Sequence, residues 1–201
     1  MILGARTPVT TLLLLAIVAM FVVETVRGGS TDTRVLIALG ADHPLLVQQG
    51  EYWRLVTSLF LHIGFLHLVL NGWALYQLGG LFEIVLGSGR LLLVYFVSGI
   101  VGSIASNLFT QSISAGASGA IFGVMGALIA FLVKRRENLT PQAKSLLMQL
   151  VLWAGINVFM GFSTRGIDNA AHLGGCAAGF VIGLSLKDRP RYRPELAEPG
   201  F

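Results

Sequence analysis

Residues 116–133 read GASGAIFGVMGALIAFLV, a run of apolar and small residues without a single charge. As an α-helix rising about 1.5 Å per residue, it would extend roughly 27 Å, close to the ~30 Å hydrocarbon core of a bilayer. Five further runs of the same character flank it, at residues 8–26, 59–82, 91–110, 144–162 and 169–186. The rest of the composition agrees with them. Of 201 residues, 54% are apolar and 12% charged, where an average soluble domain carries about 25% charged residues. Mean hydropathy is +0.75. These values exclude an ordinary soluble fold and a disordered chain. The expected fold is an all-α membrane protein, a six-transmembrane-helix bundle forming a single domain over residues 1–201.

The pI near 9.6 looks basic, but the net charge is only +4, and the cations sit in short clusters between apolar runs. That is the pattern of membrane topology rather than of a nucleic-acid-binding face. On one side lie Arg6, Arg90, Lys134, Arg135, Arg136, Lys144, Lys187, Arg189, Arg191 and Arg193; on the other lie Arg27, Arg34, Arg54 and Arg165. The imbalance puts both termini in the cytoplasm, with a tail over 187–201, and the long 27–58 segment outside. That segment, with Tyr52, Trp53 and several charges, is expected to be a structured loop at the membrane interface. The first run lacks a small-x-small cleavage site after Val22-Val23-Glu24, so it is expected to stay as a helix rather than be removed as a signal. Few residues precede it, so no soluble domain is expected ahead of it. A single cysteine, Cys176, excludes an internal disulfide and a cysteine-based metal cluster, and its depth suits packing.

Polar side chains are costly in lipid and point to function by default. With this topology the second, fourth and sixth runs all travel inward. Their oddest residues fall near their outer ends: His67 and Asn71, then Ser118, then His172. His67 and Asn71 are four apart and share one helix face. Ser118 sits in Gly116-Ala117-Ser118-Gly119, where a loop becomes a helix, beside unsatisfied N–H groups at a positive helix end. Glycines at 116, 119, 123 and 126, and at 175, 179 and 183, allow the two backbones to approach and bring Ser118 to His172. The chemistry that uses this set is acyl transfer. A histidine base activates the serine, and His67, Asn71 and the Ser118 N–H stabilise the oxyanion. Asp168, four residues before His172, reads as a helix start rather than a third catalytic group, which leaves a dyad. His43 and His62 read as structural. Tyr52, Trp53 and Trp73 suit an interfacial aromatic belt. Taken singly, each signal has a plain packing explanation; it is their common depth that favours catalysis.

These motifs resemble the rhomboid family of intramembrane serine proteases. The likeness rests on Trp53-Arg54, His67-Leu68-Val69-Leu70-Asn71, Gly116-Ala117-Ser118-Gly119 and Ala171-His172-Leu173-Gly174-Gly175, in that order. It implies a water-filled cavity open to the outside, with Ser118 as nucleophile and His172 as general base. His67, Asn71 and the Ser118 backbone would form the oxyanion hole, and Gly116 joins the oxyanion and substrate-binding set. Trp53 and Arg54 would support the first loop, and Glu83 would be a structural acid at the cytoplasmic end of the second helix. Phe122 would pack on the histidine, where many members have tyrosine. Residues 161–168 would cap the cavity, and the fifth helix would be a lateral gate. The implied activity is cleavage of single-pass membrane proteins near the outer boundary, without metal or cofactor, in a prokaryotic plasma membrane. A metalloprotease would want two histidines and a carboxylate on converging helices. A non-catalytic relative that escorts membrane helices would be expected to lack Ser118 or His172. A transporter would be expected to show broken inverted repeats at the midplane.

Overall fold

The computed structural model describes residues 7–164 and 166–187. The expectations for Arg6, Arg165 and the tail arginines 189, 191 and 193 lie outside the described residues. The described chain is helical, and its one β element is an isolated antiparallel bridge between Asp42 and Ser114. Helix α1 spans Pro8–Val26, as expected from its run. The expected interfacial segment folds into three short helices, α2 (Thr33–Leu39), α3 (Pro44–Gln48) and α4 (Arg54–Thr57). Local chemistry sets their ends. Asp32 caps α2 by accepting from the Arg34 N–H, Gly40 stops it at φ +101°, and Pro44 opens α3.

The second run departs from its expected 59–82 bounds. Ser58–Phe60 forms a 3₁₀ turn, residues 61–64 are non-helical, and Gly64 turns the chain at φ +83°. Only then does α5 (Phe65–Ala74) begin, continuing through a π stretch at Leu75–Gly79 into α6 (Gly80–Leu86). Apolarity carried on through 59–64, but the backbone turns there. Helix α7 is Ser88–Phe109, α8 is Ser118–Val133, α9 is Pro141–Ser163 and α10 is Asn169–Ser185. α9 starts three residues before the expected 144, because Thr140 caps it through the Ala143 N–H and Pro141 takes its first position. α8 starts two residues after 116, because Gly116 sits at φ +142°.

Among the described residues, four helical stretches are long and apolar enough to cross a bilayer: Pro8–Val26, Phe65–Leu86, Ser88–Phe109 and Pro141–Ser163. The other two runs make shorter helices of 16 and 17 residues. These two pack backbone against backbone. A methyl group added at Gly175, Gly179 or Gly183 of α10 would lie 2.0, 1.9 and 2.5 Å from the carbonyl oxygens of Gly119, Gly123 and Ala127. No side chain larger than hydrogen fits between them at those points. α9 is different: Leu150 is its one buried residue, and most of its apolar side chains face outward. The protein is therefore an all-α membrane protein, with a glycine-packed centre and a loosely seated α9.

Two buried polar hubs fix the ends of the bundle. The Glu83 carboxylate accepts from the Val9 and Thr10 N–H groups at 2.9 and 2.8 Å, and from the Thr10 and Ser88 hydroxyls, both at 2.7 Å. It thereby caps the N-terminus of α1, whose own Thr7 makes no side-chain cap. In the first loop, buried Arg54 donates to Glu51 at 2.7 Å and to the Ile37 and Ala41 carbonyls at 2.8 and 3.0 Å. Its guanidinium also lies 4.5 Å from the Trp53 ring centre. Buried Asp42 accepts from Asn107 of α7 and anchors that loop to the bundle. Burial pushes the Asp42 carboxyl up to about 6, opposed by the Asn107 hydrogen bond and aided by the charge of Asp168.

Candidate active site

Ser118 is the first residue of α8, and no side chain caps that helix. Its hydroxyl therefore stands beside the first, unsatisfied N–H groups of the helix, at the positive end of the dipole. His172 lies in the first turn of α10. Asp168 starts that turn by accepting from the Ala171 N–H at 2.9 Å. The close approach of α8 and α10 closes the gap: His172 Nε2 is 2.9 Å from Ser118 Oγ. α7 completes the seat, since a methyl group at Gly102 would lie 2.8 Å from the Ala171 carbonyl oxygen. Phe122, one turn after Ser118, stacks on the imidazole with ring centres 4.2 Å apart and planes 8° from parallel. His172 itself is buried.

Among the described residues, Asp168 makes no hydrogen bond to the His172 ring. One of its oxygens serves the Ala171 N–H and the other accepts from Ser106 of α7. His172 Nδ1 is buried with no hydrogen-bond partner among the described residues.

His67 stands on the opposite wall. A methyl group at Gly116 would lie 2.9 Å from His67 Nε2, 2.7 Å from its Cε1 and 3.8 Å from Ser118 Oγ. Gly116 thus keeps open the space that His67 and Ser118 share, and its φ of +142° favours glycine independently. The Ile63 N–H donates to His67 Nδ1 at 3.3 Å. An Nδ1 that accepts leaves the proton of the neutral ring on Nε2, the nitrogen that faces Gly116. His67 is therefore set as a donor toward the space beside Ser118. Asn71 is buried on the same helix face, and its amide donates to the His67 carbonyl at 3.0 Å.

The structure thus brings Ser118, His172, Phe122, His67 and Gly116 together, with Asn71 bonded to the backbone of His67. Trp53 and Arg54 belong to the first loop. Glu83 lies sixteen residues beyond His67, roughly 24 Å along the helix. Cys176 contributes backbone packing, since a methyl group at Gly126 would meet its carbonyl oxygen. The sequence reading missed Glu24, a fully buried carboxylate in α1 that accepts from the His62 N–H at 2.9 Å. Its signal was a lone charge inside the first apolar run. The reading also missed the Asp42–Asn107 and Asp168–Ser106 pairs, whose signal was the polar series Ser103, Ser106 and Asn107 within an apolar run.

Comparison with known proteins identifies the family. A family model described as Rhomboid domain matches residues 49–189. Rhomboid protease GluP of Bacillus subtilis (strain 168) is 42% identical over 180 residues, covering 89% of this chain and 35% of that protein. RHOMBOID-like protein 5 of Arabidopsis thaliana is 39% identical over 169 residues, 81% of this chain and 54% of the plant protein. RHOMBOID-like protein 6, mitochondrial, of the same plant is 41% identical over 166 residues, 82% of this chain and 53% of that protein. The chain thus spans between a third and about half the length of these relatives. With a domain match over most of its length and these identities, the chain belongs to the rhomboid family.

Proposed function

We propose that this protein is an intramembrane serine endopeptidase that cuts single-pass membrane proteins near the outer boundary of the bilayer by a Ser118–His172 dyad. The observation that carries the reading is the 2.9 Å contact between Ser118 Oγ and His172 Nε2, under a stacked Phe122 ring. His172 Nε2 takes the Ser118 proton as Oγ attacks the substrate carbonyl carbon. The oxyanion that forms meets the Nε2–H of His67, the Ser118 N–H and the Asn71 amide. When the tetrahedral species collapses, His172 gives its proton to the leaving amine, and water later releases the acyl group from Ser118. A general base contributes about 10²–10⁴-fold and each oxyanion donor about 10²–10³-fold. Residues in these roles need no metal or cofactor.

In this reading residues 1–201 form one membrane domain of six spans in a prokaryotic plasma membrane, with both termini cytoplasmic and residues 27–58 outside. Substrate enters past α9, whose loose seating suits a lateral gate; of the expected 161–168 cap, residues 161–163 continue α9, which leaves Thr164 and residues 166–168 to cap the cavity. The test is a cleavage assay in detergent and in liposomes with a single-span model substrate. Wild type is expected to cut near the outer end of the span, and Ser118→Ala and His172→Ala to lower the rate by at least about 10³-fold. Equal cleavage by wild type and Ser118→Ala would reject the mechanism. Binding without cleavage across varied substrates would favour an escort role.

A further inference from the structure

The buried carboxylate Glu24 takes no part in the dyad, yet it sits in an apolar helix where an ionisable group is expensive to keep. Helix α1 is otherwise built of aliphatic side chains, Met20, Phe21 and threonine hydroxyls, so Glu24 is its one ionisable side chain. What Glu24 does have is a partner across the bundle. Its Oε1 accepts from the backbone N–H of His62 at 2.9 Å, joining residues 38 apart in the chain. His62 is fully buried too. It stands in the non-helical 61–64 segment, so its N–H has no helical carbonyl to bond to.

From His62 the contacts lead directly to the reacting space. The His62 and His67 rings lie with centres 5.3 Å apart. The neighbouring Ile63 N–H is the group that donates to His67 Nδ1 and so directs its Nε2–H toward Gly116 and Ser118. His62 Nδ1 is itself 3.3 Å from the Phe60 carbonyl, which fixes that ring against the same turn. The segment 61–64 therefore acts as a bracket for His67, and Glu24 is the side chain that anchors it to α1.

We infer that Glu24 is a positioning residue: as a hydrogen-bond acceptor it holds the 61–64 turn in the conformation that orients His67 as an oxyanion donor. The inference rests on the serine-protease reading of the site. Its working property is the acceptor oxygen, not the negative charge, so glutamine should substitute and leucine should not. Loss of the anchor leaves the substrate-binding surface intact and misaims a group used in the transition state, which lowers kcat rather than raising KM.

The experiment measures kcat and KM of wild type, Ser118→Ala, Glu24→Leu, Glu24→Gln and His62→Ala on one transmembrane substrate, with thermal unfolding of each variant alongside. The expected result is a fall in kcat of about 10–10²-fold for Glu24→Leu with KM within about twofold. Glu24→Gln should recover at least about a third of wild-type kcat. If Glu24→Leu does not fold, Glu24→Met, close to glutamate in length and without its carboxylate oxygens, is measured in its place. His62→Ala removes the ring against His67 and keeps the α1 hydrogen bond, so it separates ring packing from the anchor. Wild-type kcat in a folded Glu24→Leu or Glu24→Met overturns the inference, as does a Glu24→Gln as impaired as either. Failure of the serine mechanism looks different: wild type and Ser118→Ala are then indistinguishable, and the inference falls with it.

Discussion

The packing of α8 against α10 makes Gly179→Ala a demanding test of how the site is assembled. A Cβ at residue 179 would sit 1.9 Å from the Gly123 carbonyl oxygen, 2.5 Å from its carbon and 2.6 Å from its Cα. Ordinary contact begins near 3.4 Å, so the shortfall is 3.4 − 1.9 = 1.5 Å. All three obstructing atoms belong to a helical backbone and none can rotate away. The helices must part or tilt by about that amount, two turns below His172. Overpacking of this kind costs about 1–3 kcal/mol of stability. If the displacement carries up to the first turn, the 2.9 Å Ser118–His172 contact opens toward about 4 Å, beyond a hydrogen bond. A misplacement of roughly 1 Å between reacting groups costs about 10²-fold in rate. The matched control is Gly155→Ala on α9, where an added Cβ meets nothing within 4 Å. It should leave activity unchanged and gain up to about 1 kcal/mol of helix stability. Both variants would be assayed for cleavage and for reversible unfolding in mixed micelles. If Gly179→Ala keeps kcat within about twofold of Gly155→Ala, the close helix approach does not set the dyad and this reasoning is wrong.

Other expectations follow from the two polar hubs. Glu83→Ala strands two backbone N–H groups of α1 and removes an acceptor from the hydroxyls of Thr10 and Ser88, which can rotate; the two N–H groups alone amount to about 2–6 kcal/mol at 1–3 kcal/mol for each. Glu83→Gln, keeping one acceptor, should fall between Glu83→Ala and wild type, and an unfolding free energy within about 1 kcal/mol of wild type for Glu83→Ala would sink this account. Asp42 gives a pH dependence. Its carboxyl is raised from 3.8 to about 6 by burial, so the native state holds a proton that the unfolded chain releases. Stability from this group is full below about pH 4, falls as pH rises to about 6 and is level above it, a span of about 3 kcal/mol. Asp42→Asn should flatten that part of the unfolding profile, and an unaltered slope would assign the dependence to another group.

The parts of this structure that the sequence discloses are those governed by one-dimensional pattern. Helix α1 matches its run because apolarity, Pro8 and the charged end at Arg27 all coincide. The glycines at 119, 123, 175, 179 and 183 recur every fourth residue, so the face they define and the meeting of Ser118 with His172 were readable from spacing alone. The second helix was misplaced at its start because hydropathy does not register a turn whose residues, Leu61 to Gly64, are themselves mostly apolar. Glu83 entered only through the family resemblance; its partners in α1 are 74 and 73 residues away, and nothing local pairs it with Thr10. Glu24 was passed over for the same reason: its meaning lies in a backbone N–H of another segment. Side chains that satisfy distant backbone groups leave no periodic trace.

The proposed dyad asks His172 to act as a base without a carboxylate on its far nitrogen, and what surrounds the ring supplies a reason that it could. In a three-member arrangement the acid fixes the tautomer and the orientation of the ring. Here Asp168 is committed to the Ala171 N–H and to Ser106, so its role is to start α10 and tie it to α7. The ring is oriented instead by a flat face. Phe122 lies parallel to it at 4.2 Å, and Phe122 is carried by the same helix as Ser118, one turn further on. Ser118 and the orienting ring therefore move as a unit, and any motion of α8 that kept one in place would keep both. The backbone contact of Gly119 with Gly175 locks that unit to the helix that carries His172. Dispersion and close packing, which lose nothing in a lipid setting, replace the buried ion pair that would be costly there. Geometry that a soluble protein would hold with charge is held in this bundle by glycine spacing and one aromatic ring.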